Sequence, residues 1–285
     1  MQRLFPSDRK AFTLVLDIQT SRPTQLKIEA LDAKKPFTAF YRTVGEIKGR
    51  REYELLFPLS PNELDVRIYD AKFKSYNDYI RGTNSDTRNS IKVTSTKIIP
   101  LKTTPIWLSD NDRSFIKFAE KFSENAGIYS ATNHDGTPSI YRSDDGKFTI
   151  DYYDKIQDRQ TKQFINTPAR IGHQTGVIEV SKKDFQRYTV PMRMVILLHE
   201  YSHKWKNQES GLRIENESGA DINALMMYLS LGYSPIEAHQ AFLYVFKGAN
   251  NKVNKDRYMI IRDFIMKFKK GELGQYYTTQ NVVKR

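Results

Sequence analysis

Cysteine is absent from this chain of 285 residues, which removes disulfides, thiolate metal sites and cysteine nucleophiles together. Long apolar runs are missing as well. The aliphatic stretch Val195-Ile196-Leu197-Leu198 is far too short to cross a bilayer. The opening residues, Met1-Gln2-Arg3-Leu4-Phe5-Pro6, lack the apolar core of a signal peptide. The expectation is therefore a soluble chain, not secreted by a signal peptide, with no membrane partner, and kept in a cytoplasm or carried within a virion or other assembly. There is no internal repeat and no low-complexity segment. What is present fits a folded protein: 39% hydrophobic and 12% aromatic residues, enough for one large domain or two modest ones.

Acidic residues are in deficit, giving a net charge of +12. That balance raises the question of nucleic acid or acidic surfaces. The cations do not form one tract, however. They recur as small clusters (Lys34-Lys35, Lys48 to Arg51, Lys182-Lys183, Lys267 to Lys270, Lys284-Arg285) separated by acids, a pattern that serves solubility and makes nucleic acid an unfavoured partner. The best basic–aromatic interleave is Lys72-Phe73-Lys74-Ser75-Tyr76 with Tyr79 and Arg81. Its plain reading is a polar loop with packed aromatics, within a loop over 74–90.

Residues 11–100 read as β structure. Phe12–Ile18, Gln25–Ala30, Phe37–Tyr41, Tyr53–Phe57, Leu64–Tyr69 and Ile91–Ile98 are short runs, several alternating apolar and polar, with turn residues about every ten positions. This spacing predicts an antiparallel β-sandwich over residues 1–104. Beyond Pro100–Pro105 the pattern becomes helix, then strands, then helices, so residues 105–285 form a second domain and the fold class is α+β. Ser109-Asp110 predicts a helix start, Phe115, Phe118, Ala119 and Phe122 its buried face, and Gly127 its end. Strands are predicted at Ser139–Tyr141, Phe148–Tyr152 and Gly176–Val180. Helices follow from Pro191 to about Asn207 and near 213–231, 235–247 and 256–269.

The chemistry sits in His199-Glu200-Tyr201-Ser202-His203. On a helix, two histidines four apart face the same way. They can share one metal ion, with the Glu200 carboxylate beside the remaining coordination position. A third ligand must come from further along, where Glu217 and Asp221 are again four apart; Glu215 and Glu209 are alternatives. The next histidine, His239, is too distant for a third-histidine scheme. His134 and His173 read as solvated loop residues, Tyr276-Tyr277 as packing, and Met226-Met227 as core filler.

This pattern resembles the gluzincin zinc metallopeptidases, in which H-E-x-x-H is followed by E-x-x-x-D on a second helix. The likeness is residue-specific at His199, Glu200, His203, Glu217 and Asp221, and in element order covers roughly residues 109–247. It implies a zincin-like metallopeptidase fold, Zn2+ as cofactor and a peptide or protein as substrate. It further implies Glu217 as third ligand, Asp221 as the carboxylate orienting His199, and Glu200 as the general base for a zinc-polarised water. The family takes an oxyanion donor from downstream; Tyr228, Tyr233, His239 and Tyr244 are the candidates. Gly176–Val180 occupies the place of the substrate-pairing edge strand. The combination of β domain, basicity and missing cysteines also resembles, in type only, phage-encoded virion proteins with embedded metallopeptidase domains. That likeness implies a structural alternative. The β domain would dock on neighbouring subunits of an assembly, and the zincin-like domain would have restricted or no activity.

Overall fold

A single 21-residue strand, β2 (Phe12–Asp32), organises the first half of the chain. In the computed structural model, which describes residues 1–82, 90–133, 136–247 and 252–273 (residues 245–247 without their side chains), the chain divides into two compact units, Met1–Lys102 and Thr103–Arg285. The expected division after residue 104 lies beside this boundary. Among the described residues, no helix is long and apolar enough to cross a membrane. Lys284-Arg285, Tyr276-Tyr277 and His134 lie outside the described residues.

In the first unit, β2 pairs along one side with β3 (Ala39–Phe57). Its other side is shared. Thr13–Thr20 pairs with β5 (Ile91–Ile99), and Leu26–Asp32 pairs with β4 (Glu63–Asp70), which in turn carries β1 (Gln2–Pro6). Every pairing is antiparallel. The expected antiparallel sheet is present, its five strands joined in one hydrogen-bonded sheet. The two predicted runs Phe12–Ile18 and Gln25–Ala30 are one strand with a bulge between Thr20 and Thr24. Ser21-Arg22-Pro23 reads as a turn, yet Pro23 is tolerated because the ladder register is already broken there. Gly49, at φ +80° opposite Thr20, supplies the matching irregularity on β3. Leu14, Ile18, Ile28, Leu55, Leu64 and Ile68 are fully buried, as period-two alternation requires. The predicted loop over 74–90 begins instead as a short helix, α1 (Tyr76–Gly82). Tyr76 and Tyr79 are buried against Tyr69 and Phe73, so these rings are packed and not presented for base stacking.

The second unit holds a four-stranded sheet in the order β6 (Ser139–Arg142), β7 (Thr149–Tyr153), β9 (Ile178–Ser181), β8 (Ala169–Ile171). Only β7 and β9 are parallel. The predicted edge strand is thus internal, hydrogen-bonded on both sides, and the edge is the three-residue β8. Helix α2 (Asp110–Asn125) starts at a capping box between Ser109 and Asp112 and buries Phe115, Phe118, Ala119 and Phe122. It ends at Ala126 in right-handed geometry, so Gly127 is not needed as a left-handed cap. After the four-residue α3 (Lys182–Phe185) comes the central helix α4 (Val190–Tyr201). Apolar around nearly its whole circumference, it packs against α2, β8 and the later helices α5 (Glu217–Ser230) and α6 (Pro235–Lys247), as such a helix must. Helix α7 (Lys252–Lys270) covers α5 and α6.

Candidate metal centre

Thr189 starts α4 by accepting from the Met192 N–H, while its hydroxyl donates to the buried Glu237 at 2.7 Å. Pro191 sits in the first turn, where its missing N–H costs nothing. Within the helix, Arg193 is 1% exposed. It donates to the carbonyls of Ser123, Phe185 and Gln186, so the charge is solvated by backbone rather than water.

The predicted continuous helix to Asn207 is interrupted. Ser202–Lys206 forms a π-helical turn before one last α turn at Asn207–Glu209. What holds this unusual turn is a buried anchor. Tyr201 stacks between Phe115 and Trp205 and donates its hydroxyl to Asp112 at 2.7 Å. Lys206 donates to the same carboxylate at 3.1 Å and to Glu209 at 2.6 Å. Asp112 is fully buried, and the anionic neighbour together with burial holds the Tyr201 phenol far above its usual range. Asp112→Ala would leave the buried Lys206 ammonium with Glu209 alone and remove the carboxylate that accepts from the Tyr201 hydroxyl. The expected loss is about 3 kcal/mol of stability, read as a lower urea midpoint at unchanged slope. A midpoint equal to the parent would mean the pair contributes nothing.

His199 and His203 emerge on the same face with their Nε2 atoms 3.1 Å apart. Glu217, at the start of α5, brings Oε2 to 3.5 Å from His199 Nε2 and Oε1 to 3.7 Å from His203 Nε2. Among the described residues this trio forms a group that could hold a metal ion. The alternatives are engaged elsewhere: Glu209 with Lys206 and Glu215 with Arg213. Asn207, absent from any motif, sets the connecting loop. Its amide nitrogen donates to the carbonyls of Arg213 and Asn216, and its oxygen accepts from Asn223. Asn216 then caps α5 through the Gly219 N–H. Gly219 has no room for a Cβ, which would fall 2.5 Å from Leu212 and 2.9 Å from the Asn207 oxygen.

The outer nitrogens are also directed. His203 Nδ1 lies 2.8 Å from the Ile214 carbonyl, and His199 Nδ1 lies 2.9 Å from Asp221 Oδ1. Such partners fix which nitrogen faces a metal. Arg257, on α7, completes the arrangement. Its Nε and Nη2 donate to both oxygens of Asp221 at 2.8 and 2.9 Å, and Nη2 is 3.0 Å from Glu217 Oε2. Forty residues beyond Glu217 and outside any spacing pattern, it left no trace in the sequence reading.

Charge in the site is poised around this cluster. Burial lowers the proton affinity of His199, but the carboxylates of Asp221 and Glu217 prevail and raise it to about 10. His203 is lowered by burial and by His199. Burial would raise Glu217, yet His199 and Arg257 pull it down to about 2. Glu200, buried beside the trio, is raised to about 7 by desolvation, against the pull of His199; the Ile171 backbone N–H donates to its carboxylate. A carboxyl near neutrality can both accept and return a proton at ordinary pH.

These groups line a cleft of about 380 Å³, bordered by Asn166–Ile171 on one side and by Phe242, Asn254 and Arg257 on the other. None of the four candidate oxyanion donors borders it. Tyr228 is buried with its hydroxyl on the Ser234 carbonyl, and Tyr233 is buried with its hydroxyl on Glu120. His239 packs on Tyr258, and Tyr244 is exposed beside Tyr188. Spacing identifies a helix face but not which later face returns to the cleft. His173, read as a solvated loop residue, is exposed and also lines the cleft. Protein-family models, curated proteins and solved structures were all compared with the chain, and none matches it.

Proposed function

We propose that the chain hydrolyses peptide bonds with a zinc ion held by His199, His203 and Glu217 and with Glu200 as general base. The convergence of these four side chains in one open cleft carries the reading. Ligand atoms on a tetrahedral zinc stand about 3.3 Å apart, as bond lengths near 2.0–2.1 Å require; the two histidine nitrogens are 3.1 Å apart, and the Glu217 carboxylate lies beside both, with Oε2 at 3.5 Å from His199 and Oε1 at 3.7 Å from His203. Support also comes from the resemblance to gluzincins at five positions and from the short antiparallel edge strand β8 bordering the cleft, both consistent with a zincin-like fold. Among the described residues β8 is strand-paired on one side only, which suits an extended peptide as the binding partner.

Bound zinc would supply Lewis acidity to the attacking water. Glu200 takes the proton that water loses as its oxygen bonds to the peptide carbon, and the carbonyl π electrons move onto oxygen. When the C–N bond breaks, Glu200 returns the proton to the leaving amine. Asp221 and Arg257 hold His199 and Glu217 in place meanwhile.

The assembly reading is favoured by one observation in the first unit. Among the described residues strand β3 is paired on one side only, and Phe37, in the turn preceding it, is 92% exposed. A free edge of that kind is a template for another chain. Metal analysis and an unbiased peptide-library digest on the parent and on His199→Ala separate the two. One zinc per parent chain, with cleavage and zinc both lost in the variant, is the expected result. One zinc without any cleavage would favour the assembly role, and no zinc would overturn the metal centre.

A further inference from the structure

With the downstream candidates turned away from the cleft, the peptidase reading lacks a group to hold the oxyanion. We infer that His173, in the turn between β8 and β9, supplies that N–H donor. The inference rests on the proposed hydrolase activity and names a catalytic residue for it on the opposite side of the motif in sequence.

The turn is fastened to the motif helix. Gly172 donates to the Val177 carbonyl at 2.9 Å and Gly176 to the Gly172 carbonyl at 2.7 Å. Lys204, the residue after His203, donates its ammonium to the carbonyls of His173 and Gln174 at 3.2 and 2.6 Å. Gly176, at φ +74°, lies so close that a Cβ would meet Lys204 Cδ at 3.1 Å and Trp205 at 3.2 Å. A side chain there would be strained by both backbone and neighbours. Lys204 and Trp205 therefore set where the turn stands relative to His203.

The result is a short stretch that runs along the reacting centre. The Ile171 N–H is on Glu200, and two residues later the His173 ring stands 5.9 Å from the His203 ring, centroid to centroid, at 37°. The imidazole makes no hydrogen bond among the described residues. The guanidinium donors of the cleft are committed: Arg170 to Glu179 and the Gln157 carbonyl, Arg257 to Asp221 and Glu217. His173 thus combines a position at the cleft lip next to a metal ligand with an unspent ring N–H. Removing one such donor from an acyl-transfer site costs about 10²–10³ in turnover.

The test uses the zinc-loaded full chain, a quenched-fluorescent peptide built on the best-cleaved library sequence, and the phosphinic analogue of that peptide as a tetrahedral-anion mimic. For His173→Ala the expected result is an approximately 10²-fold fall in kcat at unchanged KM and unchanged zinc content. Calorimetry should show a matching loss of affinity for the phosphinic peptide but not for the cleaved product. His173→Gln, which keeps an N–H, should recover part of both. Turnover and phosphinate affinity within about twofold of the parent would overturn the assignment while leaving the peptidase standing. Loss of zinc, or a changed visible spectrum of the resting cobalt-substituted protein, would make His173 a ligand instead and also overturn it. A zinc-loaded parent that neither cleaves nor binds the phosphinate removes the hydrolase reading, and the inference falls with it.

Discussion

Glu200→Gln is expected to keep one zinc per chain and to lower peptide hydrolysis by about 10²–10⁴-fold, the range for a lost general base. The amide is nearly isosteric, so it keeps the contact with the Ile171 N–H only if its oxygen faces that way, and it has no basic site for the water's proton. Glu200 does not belong to the trio of ligand atoms, so metal content should not move. Its burial explains the choice of residue. A carboxyl held at about 7 is a stronger base than a solvated one and still releases its proton to an amine. In metal analysis with matched digests of parent and variant, equal cleavage by both would remove Glu200 from the mechanism. Loss of zinc in the variant would make it a ligand.

The pieces legible in the sequence share one property: they are set by local helical spacing. His199 with His203, and Glu217 with Asp221, are each four apart, so helical spacing alone puts each pair on one face; the loop held by Asn207 then brings the two pairs together. The start of α2 at Ser109 was readable for a similar reason, since a capping box lies within four residues. Everything that depended on distant return was hidden. Arg257 reaches the centre only because α7 folds back over α5, and His173 only because Lys204 pins its turn. The bend of β2 was misread because Pro23 signals a turn far more often than a bulge. The edge strand was missed because β8 has three residues, too few to show a period. The π turn at Ser202–Lys206 has no local signature at all; it follows from Asp112, on a helix earlier in the chain, gathering Tyr201 and Lys206.

The other large effect concerns the competition between proton and metal at His199. Without metal, Asp221 and Glu217 hold a proton on His199 up to about pH 10, whereas His203 is shifted the other way and Glu217 is ionised above about 2. Zinc needs the His199 lone pair, so binding near neutrality should expel one proton. Apparent zinc affinity should therefore rise about tenfold per pH unit between about pH 6 and pH 8, and level off above the His199 value. The folded metal-free chain runs in the opposite sense. Because the folded value of about 10 exceeds the ordinary 6.5, this pairing stabilises the fold fully below about pH 6.5, and the gain is lost as pH rises towards 10. Asp221→Asn acts on both sides at once. The neutral amide no longer raises His199, so the pH slope should flatten. It also orients the ring less firmly, so zinc affinity at alkaline pH should fall about 10–100-fold. Chelator competition across this pH range, with calorimetry in two buffers of different ionisation enthalpy, reads slope and proton release separately. A parent affinity that does not change with pH would mean that Asp221 does not hold a proton on His199, and that this ring is not waiting for a cation.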